Sequence, residues 1–179
     1  DDYDSSVKAL RVFNQDFENH LMPFIESRFH TYAQSTSKED LIASRDHRAF
    51  GGFSLGAYTT WLQFCQCSDY IKYYLPISGA CWYYGGVDDF QTEKNVDYME
   101  KVISDNGLDE KGYFIYYAVG TEDEIKSQTL TQAEEMLKRN DIFTQDHFVF
   151  YQMEGGEHDR RAERDFLYNG LPTFFKDSQ

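Results

Sequence analysis

A chain of 179 residues is long enough for one domain with a sizeable core, and its 15 Phe and 14 Tyr argue for a packed globule and against disorder. Its formal charge of −14 argues against nucleic acid and anionic membrane surfaces as partners, since both attract basic proteins. No run is apolar enough to span a membrane, no signal peptide opens the chain, and the start at Asp1-Asp2-Tyr3 without Met reads as processed, trimmed or incomplete.

From Val7 onward, Leu10, Phe13, Phe17, Leu21 and Ile25 recur at three- and four-residue steps. That spacing predicts a helix with one buried face, interrupted or kinked at Pro23. Residues 31–46 are polar and rich in Ser and Thr, and read as loop. Residues 48–53 read as a short buried strand and 57–67 as a helix that starts small, at Ala57, Thr59 and Thr60. A strand follows over 70–78, with Ile71, Tyr73, Leu75 and Ile77 on one face and Pro76 marking its end or an irregularity. Residues 79–92 form an aromatic, glycine-containing loop with Trp82. Val96, Met99 and Ile103 mark a helix that Gly107 can terminate. The apolar run 113–119 suits a strand buried on both faces of a parallel sheet. Thr129 with Gln132 fits a capping box for the next helix. Residues 147–153 read as a last strand and 160–169 as a closing helix. This alternation predicts one α/β domain over residues 1–179, with a mostly parallel sheet and helices on both faces. Cys65, Cys67 and Cys81 match no common zinc spacing. Buried free thiols are expected, with one disulfide left open.

The segment Gly52-Phe53-Ser54-Leu55-Gly56 matches G-x-S-x-G, the nucleophile elbow of α/β-hydrolases, in the required strand-to-helix setting. A Cβ two positions before or after the serine is expected to collide with the neighbouring strand or helix. A serine hydroxyl needs a histidine to take its proton and an acid to orient that histidine. In α/β-hydrolases the acid and then the histidine follow the serine in the chain, at the carboxyl ends of later strands. Only His147 and His158 follow Ser54. His147 opens a strand and so belongs to the opposite edge, whereas His158 lies after the last strand, in Gly155-Gly156-Glu157-His158-Asp159. His20, His30 and His47 read as surface or satisfied structural residues. For the acid, spacing leaves Glu122, Asp123 and Glu124 open, with Asp88 and Asp89 as a second choice; an acidic helix start favoured by the dipole is the plain alternative. The Leu55 N–H is placed to stabilise an oxyanion.

Gly51 to Ala57, Gly120-Thr121-Glu122-Asp123, Gly155 to Asp159 and Leu171-Pro172-Thr173-Phe174-Phe175 together resemble the feruloyl esterases of carbohydrate esterase family one. The resemblance runs in order from about Leu10 onward and implies a Ser-Asp-His triad of Ser54, Asp123 and His158 on an α/β-hydrolase fold. It implies hydrolysis of feruloyl (hydroxycinnamoyl) esters on plant cell-wall arabinoxylan through an acyl-enzyme, with no metal or organic cofactor, by a secreted protein. With that substrate it implies that Trp82 flanks the planar phenolic ring. An acetylxylan or other small-acyl esterase is the rival within the fold. A non-catalytic carbohydrate-binding or interaction protein is the rival from another class. The family also carries earlier strands and a second oxyanion donor before the helix at Val7. This chain is therefore expected to cover the C-terminal part of the fold, with a separate N-terminal segment of the same domain as a partner or with those strands lost.

Overall fold

A computed structural model of the chain describes residues 2–176. The amino-terminal periodicity becomes α1 (Asp2–Leu10), α2 (Phe13–Asp16) and α3 (Met22–Arg28), with a π-helical turn over Phe17–Leu21. The break expected at Pro23 thus falls just upstream of it. Proline has no N–H for the preceding turn, and a widened turn is where a helix absorbs that loss. The polar stretch before the sheet is not all loop. Ser37 accepts the Asp40 N–H at 3.2 Å and Glu39 and Asp40 favour the first turn, so α4 (Lys38–Ala43) forms there.

Four parallel strands make one sheet in the order β1 (Ala49–Phe53), β2 (Tyr73–Ile77), β3 (Phe114–Gly120), β4 (Phe148–Met153). Phe53 stands opposite Ile77, Ile77 opposite Ala118 and Gly120 opposite Met153, so the carboxyl ends of the strands line up. Strand β2 is buried throughout rather than on one face. The Tyr74 ring packs on Phe64 at 5.1 Å on one side of the sheet, and the Tyr73 ring on Phe174 at 5.2 Å on the other. Pro76 lies inside β2, not at its end. The β2–β3 pairing holds at Tyr73, Tyr74 and Ile77 and skips Leu75 and Pro76, the latter having no N–H to give.

Helices cover both faces. On one, α5 (Leu55–Cys67), α6 (Thr92–Asp105) and α8 (Lys126–Lys138) pack Trp61, Phe64, Met99 and Met136 against Tyr74, Ile115 and Tyr117. On the other, α9 (Arg160–Gly170) brings Ala162 and Phe166 onto Leu75, Ile77 and Tyr116. The short α7 (Leu108–Lys111) leads into β3. The capping box expected at Thr129 does not form. The helix already starts at Lys126, so Thr129 and Gln132 are interior and buried, and Gln132 accepts the Cys81 N–H at 2.7 Å. Cys65, Cys67 and Cys81 are buried free thiols. No helix among the described residues is long and apolar enough to cross a membrane.

The amino-terminal edge of the sheet is tied by Arg45, which is 5% exposed. Its guanidinium donates to the carbonyls of Ser68 (3.2 Å), Ile71 (3.1 Å) and Gly112 (2.9 Å), the segments that lead into β2 and β3. Arg45→Ala strands these carbonyls and is expected to cost roughly 3 kcal/mol, read as a lower urea midpoint at unchanged slope. A loss below about 0.5 kcal/mol would show that the three segments hold without it.

Candidate active site

The turn from β1 into α5 holds Ser54 at φ 59°, ψ −117°, in the region that side chains rarely adopt. Its N–H donates to the Ile77 carbonyl at 2.9 Å, and its own carbonyl accepts from the N–H groups of Ala57 (2.9 Å) and Tyr58 (3.4 Å). A Cβ on Gly52 would stand 2.6–2.7 Å from the backbone of Gly56, so glycine is required there. The expected collision at Gly56 is not found: a Cβ on that residue meets nothing within 4 Å. Gly56 matters as the backbone that Gly52 abuts. Gly79, just after β2, closes the turn from the other side, where a Cβ would come within 2.8 Å of the Ser54 carbonyl oxygen.

Asp123 follows β3 and is 1% exposed, whereas Glu122 and Glu124 on either side face solvent. One Asp123 carboxylate oxygen accepts the Ile125 N–H at 2.9 Å. His158 stands in the loop between β4 and α9. The two loops are clipped to each other: Thr121 N–H donates to Met153 O (2.9 Å), Glu122 N–H to Gly156 O (2.9 Å), and Gly155 N–H to Thr121 Oγ1 (2.8 Å). Their approach is so close that a Cβ on Gly120 would lie 2.0 Å from Gly156 O.

His158 Nδ1 lies 3.0 and 3.2 Å from the two Asp123 oxygens, and Nε2 lies 2.9 Å from Ser54 Oγ. A carboxylate only accepts, so Nδ1 carries the proton and Nε2 offers its lone pair to the serine O–H. The Phe53 ring, 4.4 Å from the imidazole, supports it from β1, and Asp159 caps α9 by accepting the Ala162 N–H at 2.8 Å. Such an arrangement can draw the proton from Ser54 as its oxygen attacks an electrophile. The Leu55 N–H opens α5 and has no backbone partner among the described residues, as befits a first-turn donor.

The other candidates stand apart. His147 stacks on Tyr113 with centroids 4.7 Å apart and bonds the Tyr113 carbonyl through Nδ1 at 3.1 Å. His47 stacks on Tyr32 and His20 faces Asp16. Asp88 and Asp89 are exposed in the loop after β2. Trp82 is 5% exposed, packed on Tyr58 at 5.3 Å, with its indole N–H donated to Gln128 at 2.6 Å. It touches the elbow indirectly, through the cluster of Tyr58, Leu62 and Ala80 on which Leu55 also packs. Sequence reasoning did not find Phe53, Thr121 or Gly79. Thr121 and Phe53 stood within the motifs themselves, but their contacts arise only on folding.

No protein-family model matches the chain. Endo-1,4-beta-xylanase Y of Acetivibrio thermocellus is 35% identical over 168 residues, which make up 91% of this chain and 15% of that protein. Among solved structures, a protein named FAE superposes with a TM-score of 0.86 at 34% identity, over 95% of this chain and 60% of its own. A serine-to-alanine variant of the feruloyl esterase module from Clostridium thermocellum, complexed with sinapinate, gives 0.84 at 33% identity, over 93% of this chain and 59% of its own. A CE1 ferulic acid esterase from Anaeromyces mucronatus shares the fold, at 0.63 and 19% identity, over 97% of this chain and 57% of its own. The chain thus spans about 60% of the first two solved structures and a small part of the xylanase. Over that span the chain has the α/β-hydrolase fold and is similar in sequence to FAE and to the feruloyl esterase module, and it shares its fold with the CE1 enzyme.

Proposed function

We propose that this chain is the part of a secreted serine esterase that carries its triad, and that it hydrolyses feruloyl esters on arabinoxylan. The observation that carries the reading is the continuous line of hydrogen bonds from Ser54 Oγ through His158 to the buried Asp123. The similarity to a feruloyl esterase module complexed with sinapinate supports the hydroxycinnamoyl substrate. Action on a wall polysaccharide is what calls for secretion.

Ser54 Oγ attacks the ester carbonyl carbon while His158 Nε2 takes its proton. Asp123 holds the Nδ1–H tautomer and stabilises the imidazolium that forms. The Leu55 N–H donates to the tetrahedral oxyanion; one such donor is typically worth about 3 kcal/mol of barrier. Collapse breaks the bond to the sugar oxygen, which receives the proton from His158. Water, deprotonated by the same nitrogen, then attacks the acyl-serine; the bond to Ser54 Oγ breaks, Oγ takes the proton back from His158, and the hydroxycinnamate leaves. Trp82 acts beneath the acyl site, bracing Leu55 through their shared cluster. Residues 1–179 work as a single catalytic domain in this reading, completed by a segment carrying the early strands. In support, β1 is an outer strand with Ala49 and Gly51 exposed, and Leu21, Phe24 and Phe29 nearby in the chain expose large apolar side chains.

A fluorophosphonate probe is expected to label Ser54 and to leave Ser54→Ala unlabelled; an unreactive Ser54 would favour the non-catalytic carbohydrate-binding reading. Asp123→Asn is expected to lower kcat roughly ten-thousandfold, because the wrong histidine tautomer faces the serine. Near-normal turnover would move the acid elsewhere. Rates on methyl ferulate should exceed those on acetyl esters. Equal or reversed rates would replace the feruloyl reading with that of an acetylxylan or other small-acyl esterase.

A further inference from the structure

The loop after β2 presents a second surface outside the triad. Tyr83 stacks on Tyr98 of α6, with centroids 4.5 Å apart and 20° between planes, and Tyr84 meets Tyr98 edge-on at 5.7 Å. Tyr84, Lys94, Asp97, Tyr98 and Lys101 line an open cleft of about 440 Å³. Tyr84 is 40% exposed, yet its main chain is fixed from below by Asn95, which is fully buried. The Asn95 Oδ1 accepts the Tyr84 N–H at 2.8 Å, and its Nδ2 donates to the carbonyls of Tyr84 (3.0 Å) and Gln91 (2.8 Å). Arg11 donates to the Tyr83 carbonyl at 3.3 Å from the other side. An exposed ring on a main chain held this firmly costs less ordering of the loop when a ligand lies on it.

The polar groups around the rings define the ligand. Asp97 offers acceptors although it is paired with Arg139 at 2.7 Å, and Lys101 is paired with Asp105. Lys94 is exposed and has no ion pair among the described residues. Groups that donate and groups that accept, side by side, suit hydroxyls, which do both, better than a ligand of one charge. The apolar C–H face of a sugar ring suits a tyrosine face, and its rim of hydroxyls suits these side chains. The loop leaves the carboxyl end of β2, the edge that carries Ser54, and Tyr83 packs on the same cluster as Leu55. The rings thus stand on a loop that begins at the catalytic edge.

We propose that the Tyr84–Tyr98 cleft is a second carbohydrate-binding subsite, which takes a neutral sugar residue of the polysaccharide chain while an ester on that chain reaches Ser54. The consequence for turnover rests on the esterase reading; the binding itself does not. The test has two arms. In affinity electrophoresis and NMR titration, linear xylo-oligosaccharides without ester groups are expected to bind the protein. Tyr84→Ala should weaken that binding roughly fivefold, and Tyr84→Phe should retain most of it. Lys94→Ala, at an exposed position, should weaken it less. In the kinetic arm, Tyr84→Ala should raise KM on feruloylated arabinoxylan by a similar factor and leave both constants on methyl ferulate unchanged. A thermal melt equal to wild type keeps the comparison free of folding effects. The proposal is overturned if the wild type binds no oligosaccharide, if Tyr84→Ala binds it as well as wild type, or if methyl ferulate hydrolysis falls in parallel. Should the wild type not cleave methyl ferulate at all, the feruloyl reading fails, and the binding arm alone still decides the subsite.

Discussion

The site depends on one strained residue. Ser54 at φ 59° stores of order 1–3 kcal/mol, and it persists only because its surroundings leave it no other place. Three contacts do this. The N–H bond to Ile77 O extends the β1–β2 ladder by one residue beyond Phe53, the turn packs Gly52 on the Gly56 backbone, and Gly79 shuts the space beside the Ser54 carbonyl. Parallel pairing of β1 with β2 is therefore part of the nucleophile's geometry. The same backbone conformation sets the Ser54 hydroxyl at the start of α5, next in sequence to the helix's first N–H, so the proposed nucleophile and the proposed oxyanion donor share one turn.

The other half of the site is a matter of distance control. Asp123 and His158 are 35 residues apart and stand on different loops, yet a 3.0 Å bond between them has to survive thermal motion. Their own interaction is too small a lever for that. The loops are instead clipped by three hydrogen bonds through Thr121, Glu122 and Gly155, and by the bare backbone contact of Gly120 with Gly156. Asp123 and His158 are thereby tied through their loops, and the imidazole is pressed from the strand side by Phe53. Ser54 meets a histidine whose orientation is already decided.

These features differ in how far the sequence exposes them. The elbow is legible because a strained turn against a sheet admits few residue types, and β3 and β4 are legible as apolar or β-rich runs that need no partner to be recognised. The acid is legible only to a group of three: Glu122, Asp123 and Glu124 are equivalent by spacing, and burial separates them after folding. The account of Gly56 failed because the pattern does not say which of two touching glycines lacks room. The Thr129 capping box failed because a pattern of local partners was outbid by tertiary ones, with Gln132 reaching the Cys81 N–H across 51 residues. Helix α4 was hidden by composition, although Ser37 three residues before Asp40 is a start signal. The inward turn of Trp82 had no local signal at all.

That turn has a physical cause in the helices behind it. Three amide side chains hold the loop after β2: Gln132 accepts from Cys81 N–H, Gln128 accepts from the Trp82 indole and donates to Val87 O at 2.7 Å, and Asn95 brackets Tyr84. An amide donates and accepts at once, so it can pair with main chain much as a neighbouring strand would. A glycine-containing aromatic loop, which has little regular structure of its own, is thereby given fixed partners at positions 81, 82, 84 and 87. The same pinning decides which rings face which way. With Trp82 drawn under the loop by Gln128 and Tyr84 held at the surface by Asn95, neither ring is free to exchange roles with the other. The loop's inner and outer faces are thus set by α6 and α8, helices that carry none of Ser54, Asp123 and His158, and a change in Asn95 or Gln128 acts on this loop without touching those three residues.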